Sequence, residues 1–148
     1  MRDKLFDVFF VGIARLYKLI KGGKISECAF GYCESLSTLD ISGVEIIGEQ
    51  AFRDCITLKK IDLSNVEIGS SAFEGCKSVT EVNLDKCTIG SNVFLGLSSL
   101  EIVTCKNTDI PDGAFQMNNS LKTVTISGGE IGEIAFCNCD ALSTLNIS

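Results

Sequence analysis

Apolar residues recur along this chain in one phrase, Ile-x-x-x-Ala-Phe-x-x-Cys-x-x-Leu-x-x-Leu-x-Ile, which occurs six times with small substitutions. Its anchor is a phenylalanine, at Phe30, Phe52, Phe73, Phe94, Phe115 and Phe136, with separations of 22, 21, 21, 21 and 21 residues. The units start at Ile25, Ile47, Ile68, Ile89, Ile110 and Ile131. A fixed period of this length predicts a solenoid, in which short units that cannot bury their own apolar face stack into one continuous core.

Two periodicities alternate inside each unit. Phe, Cys and Leu lie three residues apart, as in Phe52, Cys55 and Leu58, which predicts a helical turn or 3-10 segment burying one side. The next two apolar residues, as in Leu39 and Ile41 or Ile61 and Leu63, alternate with polar ones. That alternation predicts a short, half-buried strand. Stacked units then form an α/β solenoid with a parallel sheet on one face and short turns or helices on the other. Turn-forming pairs follow each strand (Ser42-Gly43, Ser64-Asn65, Asp85-Lys86, Lys106-Asn107, Ser127-Gly128), where the chain must reverse. The one proline, Pro111, falls at the corner after a unit's first Ile, where it interrupts no ladder.

The phrase Ile-Gly-x-x-Ala-Phe-x-x-Cys-x-x-Leu-x-x-Ile-x-Leu, from Ile47 to Leu63, resembles the leucine-rich repeats of the BspA-like family. The resemblance covers about residues 25 to 148. Repeats of that family commonly carry a Pro-x-Ser-Val-Thr stretch between strand and corner, and here that stretch is shorter and lacks proline. The resemblance implies a right-handed leucine-rich-repeat superhelix with its sheet on the concave face and its turns on the convex face. It also implies a module that binds other proteins, often at the surface of bacterial or protozoan cells, and it carries over no catalytic residue.

Residues 1–24 read differently, because apolar residues crowd between Leu5 and Ile20. Asp7, Arg15 and Lys18 interrupt that run and no small-x-small site follows, which counts against a cleaved signal peptide. The run is too short and charged for a membrane span. Aligning Phe10 with Phe30 puts Leu5, Phe9, Ile13, Leu16 and Leu19 on repeat positions, so a degenerate first repeat is the preferred reading. A capping or membrane-surface helix, with Arg15, Lys18, Lys21 and Lys24 toward lipid head groups, is the alternative.

The net charge of −6 opposes non-specific nucleic-acid binding, which needs clustered cations. The chain has no histidine, which removes the Ser-His and Cys-His catalytic arrangements and the commonest zinc ligand. Cys137-x-Cys139 is a single pair, where zinc takes four ligands. Asp109 and Asp112 lack an Asp-x-Asp-x-Asp-Gly setting. No enzyme, cofactor or metal site is expected. Of the eight cysteines, Cys33, Cys55, Cys76 and Cys139 share one repeat position with Leu97 and Asn118, so they read as small buried hydrophobes. Cys105 replaces a strand Ile, while Cys28, Cys87 and Cys137 fall off that position and are expected at the surface.

The candidate site is therefore the outward face of the sheet. Three columns of strand residues should line it: Thr38, Lys60, Glu81, Ile102, Thr123 and Thr144; Asp40, Asp62, Asn83, Thr104, Thr125 and Asn146; and Ser42, Ser64, Asp85, Lys106, Ser127 and Ser148. These vary while the core positions repeat. The expected partner is a protein or a glycan, with membrane contact only through residues 1–24. A solvated face serving a spacer is the alternative. The chain stops after the last strand without a polar cap over Leu142, Leu145 and Ile147, which favours a truncated array or an oligomer contact.

Overall fold

The computed structural model describes residues 23–148. Of the segment 1–24, read as a degenerate repeat or capping segment, residues 1–22 lie outside the described residues, and Gly23 and Lys24 belong to the first strand. The rest is a parallel β-solenoid of about six turns, each contributing up to two strands. In chain order these are β1 (Gly23–Ile25), β2 (Val44–Ile47), β3 (Lys60–Ser64), β4 (Glu67–Ile68), β5 (Glu81–Asp85), β6 (Thr88–Ile89), β7 (Ile102–Lys106), β8 (Thr123–Ser127) and β9 (Thr144–Ile147). They form two parallel sheets, a four-stranded one in the order β1-β2-β4-β6 and a five-stranded one in the order β3-β5-β7-β8-β9.

The single sheet expected from the pattern is thus two. Each unit's first Ile, which the pattern places just before the corner, lies on the second, narrower sheet, where Ile25, Ile47, Ile68 and Ile89 stack in register. An isolated bridge between Ile110 and Ile131 continues it. The one 22-residue spacing is absorbed here. Gly23 pairs with Val44 and Lys24 with Ile46, so the extra residue, Glu45, is a bulge that leaves the core register intact.

The helical or 3-10 turns expected on the convex face do not form, and the described residues contain no helix. The reason is a competition for amides. In the second coil Cys55 N donates to Phe52 O and Leu58 N to Cys55 O, as a 3-10 segment requires. Phe52 N instead donates to Ala72 O of the next coil at 2.8 Å, and Asp54 N to Glu74 O at 2.8 Å. Alternate amides therefore close turns within a coil and stitch coils together. The conformation that permits this is left-handed at two positions flanking each Phe, as at Gln50 (φ 54°) and Asp54 (φ 55°). The spacing of three that predicted helix is equally the spacing of successive tight turns.

The phenylalanines form an unbroken stack. Ring centroids from Phe30 to Phe136 are 5.3, 5.2, 5.8, 4.9 and 5.3 Å apart, and the planes are within 14° of parallel. The ladder spacing of coils, close to the separation of neighbouring strands, puts the rings in stacking distance without adjustment. Phe52, Phe73, Phe94 and Phe115 are fully buried, and Phe30 and Phe136 pack against the same core.

The cysteine position has a chemical role besides filling space. The Cys55 thiol donates to Phe30 O at 3.1 Å, Cys76 to Phe52 O and Cys139 to Phe115 O at 3.2 Å. Asn118 takes over in the fifth coil: its Nδ2 donates to Phe94 O at 3.0 Å and its Oδ1 accepts from Leu97 N at 2.7 Å. No disulfide joins any of the eight cysteines, and Cys28 and Cys137 are exposed as expected. Cys87 corrects the reading. It is 5% exposed, in a second buried column with Val44, Val66 and Thr108.

Candidate functional site

The wide sheet holds the candidate residues. Alternation along each strand sends Ile61, Leu63, Val82, Leu84, Val103, Cys105, Val124 and Ile126 into the core, so their neighbours must face out. Parallel pairing without slippage then aligns the outward residues across coils. Lys60, Glu81, Ile102, Thr123 and Thr144 form one row; Asp62, Asn83, Thr104, Thr125 and Asn146 the next; Ser64, Asp85, Lys106 and Ser127 the third. Thr38 and Asp40 are exposed but lie on no strand, so the sheet does not extend to the first coil.

The charges are concentrated on the first strands. Glu81 Oε1 accepts from Asn83 Nδ2 at 2.6 Å and pairs with Lys60 Nζ at 3.1 Å; the same ammonium lies 3.6 Å from Asp62. The Asn83 hydrogen bond, then Lys60, lowers the Glu81 pKa, and the hydrogen bond to Glu81 raises that of Lys60. Asp85 Oδ1 accepts from Asn107 Nδ2 at 3.4 Å. Beyond β7 the face is uncharged, a surface of Thr123, Thr125, Ser127, Thr144 and Asn146. On the central strand sits Ile102, 44% exposed.

One further column borders the face and was not singled out from the sequence. Lys59, Thr80, Glu101, Lys122 and Ser143 precede the strands, and each from Thr80 onward donates its amide to the carbonyl of the one a coil before. Lys122 Nζ pairs with Glu101 at 2.9 Å across two coils. The same 21-residue spacing that located the core would have located this rim.

Among the described residues no group of three His, Cys, Asp or Glu is placed to hold a metal ion, and no helix is long and apolar enough to cross a membrane. The arrangement presents side chains on a regularly spaced surface.

Comparison with known proteins agrees with this geometry. Six copies of the BspA type leucine rich repeat region match the chain over residues 23–143. A solved structure, the leucine rich repeat protein of T. pallidum, is similar at 24% identity, over 81% of this chain and 71% of that one, with a TM-score of 0.59. At that identity the likeness shows a shared fold. No curated protein matches the chain. With the repeat model spanning most of its length, the chain belongs to the BspA type leucine-rich repeat family.

Proposed function

We propose that this chain is a protein-binding module whose partner docks on the five-stranded sheet, in a recognition or adhesin-like role of the kind the family serves at cell surfaces. Leucine-rich repeats are commonly used for protein binding, and generally as scaffolds without enzymatic activity. The observation that carries the reading is Ile102. It lies on the central strand of the sheet, exposed, inside a rim of Lys60, Asp62, Glu81, Asn83, Asp85, Thr104, Lys106, Thr123 and Thr125. A desolvated apolar anchor surrounded by polar contacts that exclude water is the usual distribution of binding energy in an interface. Rows about 5 Å apart give a face on the order of 20–25 Å across, enough for a modest interface.

The test is paired capture from a surface-protein extract with immobilised wild type, Ile102→Glu, Asp62→Lys and, as a control on the turn face, Arg53→Glu. A partner of this face is retained by wild type and the control and lost with Ile102→Glu, while thermal unfolding of all four stays close. Equal retention by Ile102→Glu, or equal loss with Arg53→Glu, removes the sheet face from consideration.

A second reading makes the solenoid a spacer or part of a longer array, with binding elsewhere. Leu145 and Ile147 on β9 are 55% and 61% exposed, at positions that inner coils bury, and a second copy stacked there would cover them. Sedimentation over a concentration range distinguishes the two: association that Leu145→Glu abolishes supports stacking, and a monomer at all concentrations opposes contact between copies.

A further inference from the structure

The first coil is joined to the second along two of its sides but not the third. On the narrow-sheet side β1 pairs with β2. On the turn side Cys28, Phe30 and Tyr32 amides donate to Glu49, Ala51 and Arg53 carbonyls at 2.9, 2.8 and 2.7 Å. On the wide-sheet side, residues 37–42 occupy the repeat position of a strand beside β3. Leu36 and Ile41 are buried in the core, at 8% and 7% exposure. Yet among the described residues no backbone hydrogen bond connects this segment to β3. The ladder that runs from Ser143 N to Lys122 O, Lys122 N to Glu101 O, Glu101 N to Thr80 O and Thr80 N to Lys59 O stops there. Alternate amides of a parallel strand serve opposite neighbours. With Asn65 N donating to Asp85 O, the amides of Ile61 and Leu63 serve β5, and those of Lys60, Asp62 and Ser64 face the first coil.

Two observations single out Asp40 as the cause. Its Oδ1 accepts from Ser42 N at 3.3 Å, a local bond that offers the backbone an alternative to the ladder. It also belongs to the column of Asp62. A closed ladder would set the two carboxylates opposite each other at a strand spacing of about 5 Å, and like charges directly opposite destabilise a sheet. The cation near Asp62 is Lys60 at 3.6 Å, and Lys60 lies closer to Glu81, at 3.1 Å. No inner pair has this conflict, since the column continues as Asn83, Thr104, Thr125 and Asn146.

We propose that residues 37–42 are a strap that Asp40 holds off the sheet, and that closes on β3 as a sixth strand when the charge at position 40 is removed. Closing sets Thr38 and Asp40 beside Lys60 and Asp62 and lengthens the outward face by one strand.

Amide hydrogen exchange resolved to single residues, on the intact chain without partner, tests it. Asp40→Thr introduces the residue type found at Thr104 and Thr125. It is expected to slow exchange at Lys60, Asp62 and Ser64 roughly fivefold or more, with Ile61 and Leu63 unchanged. Asp85→Asn, one column away, is expected to leave all five at wild-type rates. Three results overturn the proposal: wild-type Lys60, Asp62 and Ser64 exchanging as slowly as Ile61 and Leu63, no slowing in Asp40→Thr, or equal slowing in Asp85→Asn. The readout needs no partner, so its failure is separate from failure of the capture experiment.

Discussion

Replacing Phe73 by Ala probes the stack at its most enclosed point. The ring is fully buried, with Phe52 at 5.2 Å and 7° on one side and Phe94 at 5.8 Å and 10° on the other. The coils cannot collapse into the space left behind. Phe52 N to Ala72 O at 2.8 Å and Phe73 N to Val93 O at 3.0 Å hold their spacing on both sides. A cavity that persists puts the cost at about 3–5 kcal/mol, of which each stacked pair contributes about 0.5–1.5 kcal/mol. That is a large share of the roughly 5–15 kcal/mol that stabilises a typical domain. Phe136 supplies the internal control. It is half-buried and has one ring neighbour, Phe115 at 5.3 Å, so Phe136→Ala should cost about 1–2 kcal/mol, less than half as much. Equilibrium urea unfolding of the two variants and wild type measures both, provided the slopes agree. A cost for Phe73→Ala under about 1 kcal/mol, or equal to that of Phe136→Ala, would refute the argument that enclosure between fixed coils sets the energy.

Three more outcomes are expected. Asn118→Cys should cost about 1–2 kcal/mol, because a thiol at that position reaches the preceding Phe carbonyl as Cys76 does but gives up the bond that Oδ1 accepts from Leu97 N; Asn118→Ala should cost more, about 2–4 kcal/mol, for lost buried hydrogen bonds and space, by the same urea titration. A Cβ on Gly69 would lie 2.5 Å from the Glu49 nitrogen and 2.8 Å from the Gly48 carbonyl carbon, so Gly69→Ala should lower Tm by more than Gly96→Ala, where nothing lies within 4 Å and only the left-handed backbone objects. Burial raises the Cys76 and Cys105 thiols to about 12 and pushes Cys55 higher still. The unfolded chain loses those protons near the ordinary thiol pKa while the folded chain keeps them. Stability is therefore undiminished below about pH 8.5 and falls above it by up to about 1.4 kcal/mol per thiol per pH unit. Alkylation at pH 8 should label Cys28 and Cys137 first, and a stability curve flat to pH 11 would count against the buried thiols.

Much of the architecture was legible because a repeat states its own register. Six copies of one phrase identified the core positions, the parallel strands and the outward columns from Lys60 to Asn146, and the structure places them in those rows. The failures share a cause. Spacing of three cannot separate a 3-10 segment from a run of single turns, since both bury the same side chains. The difference lies in where alternate amides donate, and for Phe52 the acceptor is 20 residues ahead, at Ala72. The narrow sheet escaped notice because a strand of two residues, such as Glu67–Ile68, is too short to show alternation. Cys87 was misplaced because it was compared with the other cysteines, whereas its column mates are Val66 and Thr108.

By itself the sequence determined the period, the ladder of phenylalanines, the parallel stacking and the absence of histidine chemistry, because each depends only on which side chains recur at which interval. Tertiary structure alone decided the rest: that the turns stitch coils together instead of becoming helices, that Asn118 does the work of a thiol, that Cys87 is buried, and that no backbone hydrogen bond joins residues 37–42 to β3. Each of these depends on which partner a group meets in the neighbouring coil, and that is settled only when the coils are stacked.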